Sequence, residues 1–191
     1  MKTLIILVTF NGYKMTRDCL QILSTLSKDR WQIAVADNAS SDGTPQKIAN
    51  EFPQVNVFAL SENKGFGFAN NEAFRRSIQT EKFDFVCFLN NDTIPSVDAL
   101  EKLVSDSKTY AGKAIFAPLV KNPDGTIQRT DYRFLSHSEF FFNAFRTVRG
   151  ADKRLHGKPS QEKSSSFLSN DWINAVCWLM PVQAFEEIGM F

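Results

Sequence analysis

The chain has 191 residues, 43% of them apolar, and a formal net charge of +1. That length holds one domain with a sizeable core, and the near-balanced charge removes any general electrostatic reason to bind nucleic acid. Three widely separated cysteines, Cys19, Cys87 and Cys177, form no Cys-x-x-Cys pair, which argues against a disulfide framework or a zinc site and for buried thiols in a reducing compartment.

The opening run Met1–Val8 is apolar but short, and Asn11-Gly12 follows where a signal peptide would carry small residues. Thr3–Phe10 is therefore expected as a first, central strand, and no stretch is long and apolar enough to span a bilayer. Thr16 is expected to cap a helix whose Cys19, Leu20, Leu23 and Leu26 make a stripe at helical spacing. Trp31–Asp37 is the second strand candidate. Thr44-Pro45 opens a short helix to about Phe52, with proline at the first helical position. Val55–Leu60 follows as a strand, Phe66–Ile78 as a helix with Ala69, Ala73 and Phe74 on one side, and Phe83–Leu89 as a buried strand. Ser96–Ser107 is a helix carrying Val97, Leu100 and Val104, and Ala114–Val120 is a fifth strand. This alternation predicts an α/β fold with a mainly parallel sheet and helices on both faces.

The chain then changes character. Asn122-Pro123-Asp124-Gly125 is a turn signal, predicting a hairpin between Ala114–Val120 and Thr126–Thr130. Alternation disappears over 131–169, where the serine-rich Gly157–Ser166 stretch is expected to be a mobile loop. Trp172–Met180 restores apolar order, and Pro181–Ile188 reads as a short helix ending at Gly189. No internal repeat and no clear second domain stand out.

Function is written in where the polar residues fall. Thr9 and Asn11 end the first strand; Asp37, Asn38 and Asp42 follow the second; Asn63 and Lys64 the third; Asn90-Asn91-Asp92 the fourth. In an open parallel sheet these strand ends share one edge, where ligands bind. Asp37 can accept from a base imide or a ribose hydroxyl, or can merely start an Asx turn. Asp92 suits Mg2+ or Mn2+, which take hard oxygen ligands and one or two carboxylates beside phosphate oxygens; a helix cap is its competing role. Gly65-Phe66-Gly67 mimics a dinucleotide fingerprint, but Asn70 stands where the third glycine or alanine belongs, and the motif follows the third strand rather than the first. It reads as a turn into a helix, with Asn70 or Asn71 near the ligand edge.

Four segments together resemble the family-2 glycosyltransferases, in their rhamnosyltransferase-like bacterial branch: Val8-Thr9-Phe10-Asn11, Asp37–Thr44, Asn63–Asn71 and Leu89–Thr93. Order, spacing and strand-end placement all match. The resemblance implies a GT-A fold, the nucleotide-diphospho-sugar transferase fold, in a single domain over 1–191. Residues 1–120 would form the nucleotide-sugar-binding half and 121–191 the start of the acceptor half. It also implies inverting transfer of a sugar, such as dTDP-rhamnose or a UDP-sugar supplies, to a saccharide or lipid-linked acceptor in bacterial surface polysaccharide synthesis. Thr9, Asn11, Asp37, Asn63, Lys64, Asn70, Asn90 and Asn91 would line the nucleotide-sugar site, and Asp92 would hold Mg2+ or Mn2+. Asn90-Asn91-Asp92 keeps only the last acid of the family's Asp-x-Asp motif, so metal affinity without nucleotide should be low.

Trp172 and Asn174 fall on the acceptor side by the same resemblance, with Asn174 where the family usually has glycine. The family's acidic base motif comes after the point matched by Phe191, so this chain is expected to be C-terminally incomplete, and to bind donor nucleotide yet transfer sugar weakly or not at all. The alternatives are a non-catalytic nucleotide-sugar-binding remnant and a sugar-phosphate nucleotidyltransferase-like enzyme. The latter is disfavoured because Asn11-Gly12-Tyr13-Lys14 replaces a glycine- and lysine-rich phosphate loop. His137 and His156 are read as loop histidines rather than metal ligands. Over 134–154, five phenylalanines precede Arg146, Arg149, Lys153 and Arg154. That pattern suits either a helix packed on the sheet or an interfacial helix on anionic lipid; the protein is expected in the cytoplasm, and the second reading would add peripheral contact at the inner face of the membrane.

Overall fold

The structure, a computed structural model, describes residues 1–110, 114–128, 130–132 and 172–191. Two compact units divide them, one formed by Met1–Pro118 with Ala175–Phe191, the other by Leu119–Asn174.

The first unit alternates strand and helix: β1 (Thr3–Thr9), α1 (Tyr13–Leu23), β2 (Trp31–Asp37), α2 (Thr44–Glu51), β3 (Asn56–Ala59), α3 (Phe66–Ile78), β4 (Phe85–Leu89) and α4 (Val97–Thr109). In the second unit lie β5 (Val120–Lys121), β6 (Ile127–Gln128), β7 (Asp131–Tyr132) and β8 (Trp172–Ile173). The chain re-enters the first unit as β9 (Cys177–Pro181) and the short helix α5 (Val182–Glu187).

One five-stranded sheet orders the first unit as β3-β2-β1-β4-β9. β1 pairs in parallel with both β2 and β4, and β2 with β3, whereas β9 runs antiparallel to β4. Both faces are covered, so β1 is a continuous apolar run rather than an alternating one. Ile5 and Leu7 face a cluster with Cys19, Leu20 and Leu23 of α1, Ile48 of α2, and Leu100 and Val104 of α4. Leu4 and Ile6 face Ala69, Ala73 and Phe74 of α3 and Phe185 of α5. The small Ala69 and Ala73 let α3 lie close to the alanines Ala34 and Ala36 of β2, all four fully buried.

Two sequence expectations need correction. Ala114–Val120 is not one continuous fifth strand: Phe116 makes a single bridge to Leu179 of β9, Val120 alone of these residues enters β5, and β9 occupies the place beside β4. Thr16 does not cap α1, which begins a turn earlier with Gly12 at its N-cap. By contrast Ser96 caps α4, its hydroxyl accepting from the Ala99 amide at 3.3 Å. Gly43, at φ 78, precedes α2, and the Asp42 carboxylate accepts from the Thr44 amide at 3.0 Å. The Thr44 hydrogen bonds hold the Asp42 carboxyl below the usual carboxylate range.

The second unit contains the expected hairpin, reduced to β5 and β6 around the Asn122–Gly125 turn, where the Gly125 amide donates to the Asn122 carbonyl at 2.9 Å. β7 pairs antiparallel with β8, and the Asn174 amide donates to the Thr130 carbonyl at 2.7 Å. The 134–154 segment, the Gly157–Ser166 stretch, His137 and His156 lie outside the described residues. Among the described residues no helix is long and apolar enough to cross a membrane.

Candidate functional site

The C-terminal ends of β1, β2, β3 and β4 bring the four polar clusters of the sequence to one edge of the first unit, and backbone bonds fix their relative heights. The Asn38 amide donates to the Thr9 carbonyl at 2.8 Å, and the Leu60 amide to the Asp37 carbonyl at 2.9 Å. Beyond that edge the loops are tied by side chains. The Asn11 amide donates to Ser40 Oγ at 2.7 Å, while Asn11 Oδ1 accepts from the Ser41 amide at 2.9 Å. Asn38 Nδ2 donates to Asn63 Oδ1 at 2.7 Å, and Asn38 Oδ1 accepts from the Lys64 amide at 3.2 Å. Asn63 Oδ1 also accepts from the Gly65 amide at 3.0 Å.

These cross-ties hold strained backbone. Asn11 (φ 49) and Ala39 (φ 66) both sit in the left-handed region, which is uncommon for residues other than glycine and is concentrated at functional sites.

Thr9 and Asn91 belong to a different tie. Thr9 is buried, and its Oγ1 lies 2.9 Å from Thr16 Oγ1. The Asn91 amide nitrogen donates to Thr16 Oγ1 at 2.9 Å and to Thr9 Oγ1 at 3.4 Å. Asn70 is 1% exposed, with Nδ2 donating to the Phe66 carbonyl at 3.0 Å. Asn71 instead clamps the Phe191 main chain. Its Oδ1 accepts from the Phe191 amide at 3.2 Å, and its Nδ2 donates to the Phe191 carbonyl at 3.0 Å. Lys64 pairs with Glu62, and its Nζ stands 5.0 Å from the centre of the Phe68 ring. Trp172 and Asn174 lie in the second unit and are described with it. Sequence reasoning missed Thr16 and Ser40 as ties, since a buried hydroxyl inside a helix and a serine inside a loop carry no local signal of a distant partner.

With the ties assigned, few polar atoms remain unpartnered. Asp37 is 1% exposed; its Oδ1 accepts from the Ser40 amide at 2.8 Å, but its buried Oδ2, like Asn70 Oδ1, has no partner among the described residues. A buried acceptor left empty costs about 1–3 kcal/mol, more for a carboxylate, so a group that donates to Asp37 Oδ2 gains unusually much. Asp92 is exposed, and among the described residues its carboxylate meets no hydrogen-bond donor and no cation.

That carboxylate fits a hard divalent cation, with the Asn90 side-chain oxygen as a neutral neighbour in sequence. Among the described residues no group of three or more His, Cys, Asp and Glu is placed to hold a metal. The donor set among the described residues is thus too sparse for a closed cage and suits a cation that brings phosphate oxygens with it.

A curated relative, the N-acetylglucosaminyl-diphospho-decaprenol L-rhamnosyltransferase of Mycobacterium tuberculosis (strain ATCC 25618 / H37Rv), is 24% identical over 205 residues. The match covers 98% of this chain and 64% of the relative, so the chain spans just under two thirds of that protein. Among solved structures, the mannosyltransferase PcManGT from Pyrobaculum calidifontis, in complex with GDP-Man and Mn2+, is similar with a TM-score of 0.58 at 18% identity, over 100% of this chain and 47% of that one. TarS 1-349 of S. aureus, in complex with UDP-GlcNAc, gives 0.57 at 19% identity, over 70% of this chain and 39% of that one. These likenesses establish the GT-A fold. The family model described as glycosyl transferase family 2 matches residues 4–188, and the chain belongs to that family.

Proposed function

We propose that this chain binds a nucleotide-diphosphate sugar at the strand-end edge of its first unit and serves transfer of that sugar to a saccharide or lipid-linked acceptor. One observation carries the proposal: at the ends of two parallel strands, among the described residues, Asp37 keeps a buried Oδ2 without a partner and the exposed Asp92 carboxylate meets neither donor nor cation. Asp37 suits a nucleoside, accepting from a base imide or ribose hydroxyl. Asp92, with Asn90 beside it, suits the cation of a metal–diphosphate, Mg2+ or Mn2+. A cation bound there would offset the charge that grows on the leaving diphosphate.

The remaining residues prepare the site. Asn11, Asn38 and Asn63 tie the loops after β1, β2 and β3 together, so the nucleotide meets a preformed surface rather than three separate loops. Lys64 would leave Glu62 for a phosphate oxygen. The transfer is an in-line displacement: the acceptor oxygen bonds to the anomeric carbon, the bond to the diphosphate breaks, and the acceptor's proton passes to a general base, with inversion. The rhamnosyltransferase relative supports a deoxysugar donor such as dTDP-rhamnose and a diphosphate-lipid-linked acceptor in surface polysaccharide synthesis. Such an acceptor would bring the protein to the inner face of the membrane.

Titrating dTDP, UDP and GDP against wild type and Asp92→Ala, each with Mn2+ and with chelator, tests the site. Expected is binding that Mn2+ strengthens in wild type and not in the variant. Binding indifferent to both metal and Asp92 would refute it.

A further inference from the structure

The loop that carries Asp92 is anchored on both sides of that residue. Ahead of it, the Asn90 amide donates to the Val176 carbonyl at 2.9 Å, and the Asn91 side chain reaches Thr16 in the first turns of α1. Behind it, the Thr93 hydroxyl donates to the Asn90 carbonyl at 2.8 Å, closing the loop on itself, and rests 3.9 Å from Cys19 Sγ one turn further along α1. Asp92, between these anchors, has none of its own.

The anchor through Thr16 runs to a fully buried hydroxyl. Its hydroxyl is 2.9 Å from the Gly12 carbonyl, 2.9 Å from Thr9 Oγ1 and 2.9 Å from Asn91 Nδ2, so one buried oxygen joins the end of β1, the start of α1 and the loop after β4. The space around it is full. A Cβ at Gly12 would stand 3.0 Å from Thr9 Oγ1 and 3.2 Å from Asn91 Nδ2, closer than such atoms ordinarily approach. Gly12 has φ −124, a value open to any residue, so this position needs glycine for room rather than for backbone freedom. Thr16 itself is 0% exposed and cannot touch a ligand.

We propose that Thr16 is a positioning residue: through Asn91 its hydroxyl sets where the Asp92 carboxylate stands against the β1 and β2 strand ends. Metal-assisted nucleotide binding then depends on a side chain that meets neither metal nor nucleotide. The proposal rests on the assignment of Asp92 to the cation, and deepens it. Thr16→Val keeps the shape and removes the hydroxyl; Asn91 is left with its longer 3.4 Å contact to Thr9. Thr16→Ser keeps the hydroxyl and trims a methyl group.

The test is calorimetric titration of dTDP and UDP into wild type, Thr16→Val, Thr16→Ser and Asp92→Ala, with Mn2+ and with chelator. In Mn2+, Thr16→Val is expected to bind about tenfold more weakly than wild type, the scale of one buried hydrogen bond, with Thr16→Ser within about threefold by the same conversion. In chelator the three should coincide. An equal loss with and without Mn2+ marks a purely structural role and overturns the proposal, as does a manganese gain in Thr16→Val as large as in wild type. No manganese gain in wild type, or an undiminished one in Asp92→Ala, overturns the Asp92 assignment and this proposal with it. Should Thr16→Val fail to fold, Thr16→Ala removes the same buried hydroxyl with less bulk and is held to the same outcomes.

Discussion

Asp37→Asn separates binding from folding at a single atom. In the native carboxylate Oδ1 accepts from the Ser40 amide at 2.8 Å while Oδ2 is buried without a partner among the described residues. An amide's oxygen can keep the Ser40 bond, and its NH2 takes the place of the orphaned, charged oxygen. Folding therefore loses no identified contact and sheds part of the cost of burying charge, so stability should stay within about 1 kcal/mol of wild type or rise. Binding should respond in the opposite direction. A ligand N–H or O–H that found a carboxylate oxygen now meets another donor, and a hydrogen bond to a charged group is worth about 1.5–3 kcal/mol. That corresponds to a loss of about ten- to a hundredfold in nucleotide affinity. Urea unfolding with paired calorimetric titration of dTDP or UDP in Mn2+ reads both quantities. Wild-type affinity in the variant, or a fall in stability beyond about 2 kcal/mol, would show that the carboxylate serves the fold and not the ligand.

Other substitutions probe the frame around it. Gly65 has φ 87 and ψ 176, and a Cβ there would meet nothing within 4 Å, so Gly65→Ala should cost about 1–3 kcal/mol in urea unfolding from backbone conformation alone. Gly65→Asn should do no better, because that ψ lies outside the left-handed helical basin that asparagine tolerates; a clear advantage for asparagine would refute the assigned conformation. Asn71→Ala removes both hydrogen bonds to the Phe191 main chain and should lower stability by about 1–2 kcal/mol. Trp178 lies 6.3 Å from the Phe191 ring, so its emission should shift at the same time. An unchanged urea midpoint and spectrum would show that the clamp is idle. Burial pushes the Cys19 thiol up to about 12, and contact with Cys177 together with burial raises Cys87. Both thiols are held neutral by the fold, so their contribution to stability is present below pH 9 and is lost on raising pH, for Cys19 between 9 and about 12. Ellman's reagent at pH 8 should find no reactive thiol in the native protein and three in urea.

Sheet and helices were legible because each run carried its own periodicity. Trp31–Asp37 and Phe66–Ile78 have the boundaries that apolar spacing implies, and Cys19, Leu20 and Leu23 are buried along α1, with Leu26 buried beyond the helix end. Strand order was not, since Ala114–Val120 and Cys177–Pro181 are both short apolar runs and nothing local says which one lies beside β4. In the site, the positions of Asp37 and Asp92 at strand ends followed from the sequence. The duties of the asparagines did not. Asn11, Asn63 and Asn91 were all candidates for a ligand, and nothing in the sequence told that they also bond to Ser41, Asn38 and Thr16. A carboxamide both donates and accepts, so its type predicts hydrogen bonding and says nothing about the partner.

The antiparallel β9 also governs how the domain is made. Cys87 and Cys177, ninety positions apart, end with their sulfurs 3.7 Å from each other, so β4 gains its outer neighbour only after the whole intervening segment has been synthesised. Until then a five-residue strand, FVCFL, presents an open, uncharged edge, the kind of surface that recruits other chains. Closing it is a long-range event, slow by comparison with the local βα units. A nascent chain paused before Cys177 thus carries four paired strands and one aggregation-prone border, which makes timely delivery of β9 a condition of biogenesis as well as of architecture.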